Sequence, residues 1–326
     1  MPSWPLGFKP LCLLVVCLAV TFDARAQIAA GPGSGNEAQA AMFRSGVELV
    51  ALNVVVTDST ERLVTGLTRT DFAVFEDGVR QDVSFFGIAD VSLDLAILLD
   101  TSASMTDRLE TAQRAAIGLV STLRDGDRLS VIDIKDKSRV LFPMGDDIAA
   151  ARNAILATTA GGGTALYDGM YLALQEMTRL QRDNGEIRRQ TIVVLSDGTD
   201  TASPLRYGDV LALAKDSGIG IYTISLRSKT DAARTSREGR RYFLQSDLSM
   251  QSLARETGAR AYFPSDISEL TGIYASIGQE LANQYALGYT STNIRKDGAF
   301  RRLKVSVMAT RGARTRTRSG YLSASR

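Results

Sequence analysis

The chain has 326 residues, 44% of them hydrophobic, with 38 basic against 36 acidic side chains and a formal net charge of +2. That length and apolar share allow one large or two medium domains with a core, and so balanced a charge gives no global pull toward nucleic acid or anionic lipid. There is no histidine, and the two cysteines, Cys12 and Cys17, both lie in the N-terminal leader, so the usual general base, zinc-ligand sets, disulfides and Ser-His-Asp triads are excluded from the mature protein.

Residues 1–26 read as a signal peptide. Lys9 supplies the positive start, Leu11 to Phe22 the apolar run, and Ala24-Arg25-Ala26 the cleavage signal before Gln27. A lipoprotein reading of Cys17 is set aside, because Val16 stands where that signal wants Gly, Ala or Ser. Losing the leader removes Lys9, Arg25 and Asp23 and leaves a net charge of about +1. The apolar run is short for a membrane span, and no later stretch offers about eighteen uncharged apolar residues. The expectation is an exported protein, periplasmic or secreted, with no transmembrane anchor. Residues 27–43 are small, polar and Gly-rich, which predicts a flexible linker.

Residues 44–90 carry β signals. Val50, Leu52, Val54 and Val56 recur with period two, and Asp77-Gly78 between two β-prone runs predicts a hairpin. Nothing helical is expected before Asp90, and about fifty residues are too few for an independent core, so these strands need partners. From residue 91 to 284 strands alternate with amphipathic helices, the pattern of an open α/β sheet. The expected elements are a strand from Leu93, helix 107–123, strands RLSVIDI and RVLFPM, and helix 146–158. A helix opened by Thr164, strand 191–195, helix 202–216 and strand IGIYTISL come next. A basic insertion, TDAARTSREGRRYF, breaks the alternation before helix 248–256, strand RAYF and helix 267–283; its stretch Arg234 to Arg241 reads as a solvated loop. Residues 285–326 return to β signals, with Leu303, Val305 and Val307 alternating against charged residues and one last strand, TRTRSGYLS. Arg314, Arg316 and Arg318 on that strand are read as a charged guard on an edge, in preference to a polyanion site. The fold class is therefore α/β: a doubly wound, mainly parallel sheet inserted in a small β-sandwich built from the N- and C-terminal strands.

Chemistry concentrates where the first α/β strand ends. Leu95 to Leu99 form a continuous apolar run that suits a strand covered on both faces, and Asp100, Ser102 and Ser104 follow with a carboxylate and two hydroxyls at alternate positions. Hard oxygen donors of this kind suit Mg²⁺, Mn²⁺ or Ca²⁺. The run Gly161-Gly162-Gly163 is not a phosphate loop, since no Gly-Lys-Ser/Thr follows. Asp168 and Asp200 read as helix caps in preference to supporting residues of a site.

This D-x-S-x-S stretch, with Thr164 in GGGTALYDG and Asp197 in TIVVLSDGTD, resembles the metal-ion-dependent adhesion site of von Willebrand factor type A domains. The resemblance implies a Rossmann-like domain over 91–284 and a Mg²⁺ (or Mn²⁺/Ca²⁺) site at Asp100, Ser102, Ser104, Thr164 and Asp197. It also implies a partner protein that gives a carboxylate to the metal. The flanks resemble those of a group of exported bacterial proteins with such a domain, through Val54 to Asp58, Gly66-Leu67-Thr68 and Asp71 to Gly78. The expected function is metal-dependent protein binding or adhesion without catalysis. Two alternatives are an envelope module with a metal-rigidified site and a metal-assisted hydrolase, the latter lacking an evident base. Nothing in the sequence points to nucleic acid or states the oligomeric form.

Overall fold

The structure is a computed structural model describing residues 49–88, 91–184, 187–196, 200–226, 237–310 and 312–325. The expected signal peptide and the 27–43 linker lie outside the described residues. The N-terminal strands are β1 (Leu49–Thr57), β2 (Phe72–Glu76), β3 (Val79–Gln81) and β4 (Val83–Gly87). The period-two apolar set of β1 points inward, with Val54 0% exposed, and the Asp77-Gly78 turn joins β2 to β3, Glu76 opposite Val79. One single-turn 3₁₀ helix, Arg69–Asp71, interrupts the β segment where no helix was expected. It exists because Thr68 and Asp71 cap one another: the Thr68 amide and hydroxyl both donate to Asp71 Oδ2, at 2.7 and 2.8 Å.

The α/β unit follows as β5 (Leu93–Asp100), α1 (Leu109–Val120), β6 (Arg128–Ile134), β7 (Arg139–Gly145), α2 (Ile148–Leu156), α3 (Leu166–Asn184) and β8 (Arg189–Ser196). It continues through α4 (Tyr207–Ser217), β9 (Gly220–Ser225), α5 (Arg237–Glu256), β10 (Ala261–Tyr262) and α6 (Leu270–Ala282). The sheet order is β10-β9-β8-β5-β6-β7, parallel except for β7. Alternation along β5 divides the core. Leu95, Ile97 and Leu99 pack with α1, α2 and α6, whereas Ala96 and Leu98 pack with α3, α4 and α5. All eight residues of β5 are buried. The loop reading of Arg234 to Arg241 needs correction, because α5 starts at Arg237 and absorbs the end of the basic insertion.

The chain closes with β11 (Tyr285–Thr290), β12 (Phe300–Val307), β13 (Arg314–Arg316) and β14 (Gly320–Leu322). These strands complete two four-stranded sheets, β13-β1-β11-β4 and β14-β12-β2-β3. Their facing side chains form one core, from Val50, Leu52, Val54 and Leu287 on one sheet to Phe72, Val74 and Val305 on the other. Two buried tyrosines tie it together. Tyr285 accepts from the Leu67 amide at 3.1 Å and donates to the Val64 carbonyl at 3.0 Å, and Tyr289 donates to the buried Glu76 carboxylate at 2.6 Å.

The single last strand expected from TRTRSGYLS is two strands on different sheets, and the segment between them docks on the α/β unit. Arg316 pairs with Glu280 of α6 and the Ser319 amide donates to the Glu256 carbonyl of α5 at 3.0 Å, while Arg318 donates back to the Ala51 carbonyl of β1 in the sandwich at 2.9 Å. A Cβ on Gly258 would stand 2.3 Å from the carbonyl carbon of Thr317, so only glycine permits this approach. Arg316 and Arg318 thus belong to an internal junction, and only Arg314 is exposed as an edge guard would be. Arg189, 4% exposed, donates to the Val91 carbonyl at 2.7 Å and to the Leu281 carbonyl. One guanidinium thereby holds the entry to and the exit from the α/β unit side by side.

Within residues 49–88 the only strand pairing is the β2–β3 hairpin; β1, β2 and β4 otherwise pair with C-terminal strands. A fragment of residues 44–90 is therefore expected to be unfolded, with poor amide dispersion by NMR, whereas a fragment of residues 91–284 gives a dispersed spectrum and a cooperative melt.

Candidate metal centre

The carboxyl end of β5 lies at the point where the sheet changes direction. From β5 the chain passes by α1 to β6 on one side and later returns by α3 to β8 on the other, and crevices at such switch points are where α/β sheets bind ligands. Asp100 closes β5 and is 0% exposed. Leu99 stands opposite Leu195, so the next pair in register is Asp100 and Ser196, both directed to the α3 face. Ser196 donates to Asp100 Oδ2 at 2.6 Å, and the Ser102 amide donates to Oδ1 at 2.9 Å.

The D-x-S-x-S loop is fixed at several points. Ser102 is extended and the chain then makes one 3₁₀ turn, Ala103–Met105, that buries Met105 completely. This curl brings the Ser102 and Ser104 hydroxyls to 2.9 Å of one another. Thr101 donates its hydroxyl to Oδ1 of Asp133 on β6, and the other oxygen of that carboxylate, Oδ2, accepts from Arg139 at 3.4 Å. The glycine loop runs alongside: the Gly161 amide donates to the Thr101 carbonyl at 2.9 Å and the Ala103 amide to the Gly162 carbonyl at 3.0 Å. The Gly163 amide donates to Asp136 Oδ1 at 2.7 Å, and a Cβ on Gly162 would fall 2.2 Å from Asp136 Oδ2. A side chain at Gly162 would expel Asp136 and release the loop.

Thr164, 4% exposed, is gripped by the segment after β8. Its amide donates to the Thr201 hydroxyl at 3.0 Å, and its carbonyl accepts from the amides of Thr201 and Ala202 at 2.9 and 3.1 Å. Asp200 accepts from the Leu166 amide at 2.9 Å and so caps the start of α3. Burial pushes the Asp200 carboxyl above its ordinary value, opposed by hydrogen bonds from Ser203 and from the Leu166 and Tyr167 amides. Asp168 accepts from the Leu205 amide at 3.4 Å. Both aspartates therefore join α3 to the 200–205 loop. Asp197 lies outside the described residues; Ser196 before it and Asp200 after it both stand in this cluster.

Asp100, Ser102 and Ser104 are thus brought together, with the glycine loop before Thr164 bonded to the intervening backbone of Thr101 and Ala103. Ser196, Thr101, Asp133, Asp136 and Thr201 escaped the sequence reading. Ser196 had only its place as the last residue of an apolar strand for a signal, because its pairing with Asp100 depends on the register of β5 against β8. The donor set is entirely oxygen: one buried carboxylate with three hydroxyls at or beside it. That chemistry fits a hard divalent cation.

Residues 95–199 match the von Willebrand factor type A domain family. The chain carries a von Willebrand factor type A domain. An uncharacterized protein of Synechocystis sp. is 34% identical over 139 residues, which cover 40% of this chain and 31% of that protein. An uncharacterized protein of Borreliella burgdorferi is 24% identical over 228 residues, 66% of this chain and 61% of that one. The chain spans less than two thirds of either relative. Among solved structures, proximal thread matrix protein 1 from the mussel byssus, with a zinc-occupied MIDAS motif, is 17% identical, covering 63% of this chain and 49% of that one at a TM-score of 0.48.

In this A domain Ser196 orients the carboxylate that ends β5. Ser196→Ala is expected to weaken Mg²⁺ or Mn²⁺ binding by about 10-fold to 100-fold while costing about 1 kcal/mol of stability. Calorimetric metal titration and urea unfolding of the same samples check the two halves of that expectation.

Proposed function

We propose that the A domain binds a divalent cation, Mg²⁺ or its congeners Mn²⁺ and Ca²⁺, and through it an acidic side chain of a partner protein. Asp100, Ser102 and Ser104 would hold the ion, with Thr164 and Asp197 joining directly or through water. The observation that carries this reading is the fully buried Asp100 at a switch-point strand end, with the hydroxyls of Ser102 and Ser104 and the anchored Thr164 loop beside it. When bound, the cation supplies an electrophilic centre for a carboxylate; the protein's own residues fix the loops that present it. With two anionic ligands the site leaves a divalent ion unsaturated enough to accept a third.

The role is binding, not catalysis. The chain has no histidine, and the carboxylates near the site already have structural partners: Asp200 and Asp168 hold the start of α3, and Asp133 holds Thr101. We further propose that the protein acts outside the cytoplasm after removal of residues 1–26. Among the described residues no helix is long and apolar enough to cross a membrane.

Asp100→Ala is expected to abolish Mg²⁺ and Mn²⁺ binding by calorimetry with the fold retained by circular dichroism; unchanged affinity rejects the metal assignment. Partner capture on immobilised protein is expected to be lost with EDTA and restored by Mg²⁺. Capture that ignores EDTA makes the site structural, and metal-dependent turnover of phosphate esters or peptides makes the protein an enzyme.

A further inference from the structure

A second charged site lies at the junction of the sandwich and the α/β unit. Arg314 and Arg316 are two residues apart on β13, so their side chains leave the same face of the strand about 6.6 Å apart. Arg260, at the entry to β10, joins them around a cavity of about 250 Å³ whose wall also includes Thr57, Glu61 and Thr315. Three guanidinium groups meet there against two carboxylates. Arg316 is paired with Glu280, whose side chain is 6% exposed. Arg260 stands 3.5 Å from Glu61, which is 66% exposed, a separation and exposure at which an ion pair contributes little. Arg314 has no carboxylate within 4.0 Å among the described residues.

Arg316 Nε is buried without an acceptor among the described residues, as Glu280 Oε2 is buried without a donor, and the Tyr222 hydroxyl stands beside the Arg316 guanidinium. Burial holds the Arg316 guanidinium below its ordinary value, and the charge of Arg260 adds to that effect. Buried donors without acceptors are costly, and excess positive charge around a cavity calls for an anion.

We propose that this cavity binds one tetrahedral oxyanion, phosphate or sulfate, bridging Arg260 of the α/β unit to Arg314 and Arg316 of the sandwich. Guanidinium forks match such oxygens in pairs. At about 250 Å³ the cavity has room for such an anion together with water. The anion would fasten head to sandwich at the ends of the sheet opposite Asp100, so this site is independent of the metal reading.

The test uses residues 27–326 with EDTA present, titrated with inorganic phosphate at constant ionic strength against chloride. Calorimetry is expected to show one saturable site, and Tm to rise with the same saturation. Arg314→Gln and Arg260→Gln are each expected to weaken phosphate about tenfold or more while leaving Tm in chloride nearly unchanged, since neither removes the Arg316–Glu280 pair. Phosphate also stabilises proteins generally by exclusion from their surface, but that rise does not saturate and persists in both variants. A rise of equal size in wild type and variants, or saturable binding that neither variant weakens, overturns the proposal. Sulfate binding as phosphate does identifies a general oxyanion site; phosphate alone narrows it to phosphate.

Discussion

The structure depends on one long-range constraint: the N-terminal strands can be satisfied only by the C-terminal ones. β1 leaves its backbone groups to β11 and β13, and β2 gives one edge to β12. Closing those ladders returns the chain to where it began and forces both crossings into the α/β unit to the same place. Arg189 marks that place, with Val91 on the way in and Leu281 on the way out. Because these lie at the amino ends of β5 and β8, the sandwich occupies one end of the parallel sheet. The carboxyl ends, where Asp100 and the glycine loop stand, are left uncovered by it. Insertion of a domain whose termini lie close together is thus also what presents the site.

Much of this was legible because periodicity and turn chemistry act locally. The period-two run of β1, the Asp77-Gly78 turn and the unbroken apolar run of β5 each report an environment the residues themselves require. What stayed hidden was decided by contacts distant in sequence. The start of α5 looked like a basic loop because its polar residues carry no apolar stripe. TRTRSGYLS looked like one strand because nothing local says that Arg316 must reach Glu280 while Tyr321 turns to another sheet. Of the candidate site, the loop residues could be read from their spacing, but Ser196 could not be linked to Asp100 until strand order and register were known.

Two buried carboxylates differ in their surroundings. Glu76 sits in the sandwich core, accepting from Tyr289 at 2.6 Å, Tyr321 at 3.0 Å and Ser291 at 2.7 Å. Those donors come from β11, β14 and the turn after β11, so Glu76 joins strands from both ends of the chain, and its surroundings are closed by large apolar and aromatic groups. This explains why the Asp71 to Gly78 motif carries architecture: Asp71 caps, Phe72 and Val74 pack, Glu76 gathers hydroxyls and Asp77-Gly78 turns. Asp100 is equally buried, yet the chain beyond it opens onto the surface. Ser104 is exposed, and the neighbouring hydroxyls of Ser102 and Ser104 each retain lone pairs that a cation can use.

The helices sharpen the electrostatics of that end of the molecule. α3 begins at Leu166, directly after Thr164, and α1 begins at Leu109, shortly after the serine loop. Both helix N-termini therefore lie at the carboxyl-end face, where their dipoles contribute partial positive charge. A divalent ion held by Asp100 and Asp197 would be close to neutral in sum, and the helix termini then tip the local field positive. A further acidic group is favoured there, and a basic one repelled. Burial of Asp100 strengthens the same preference, because a charge near low-dielectric walls is less screened than one on an open surface. On the function proposed above, selectivity for an acidic partner would follow from where two helices start, whichever hard cation fills the site.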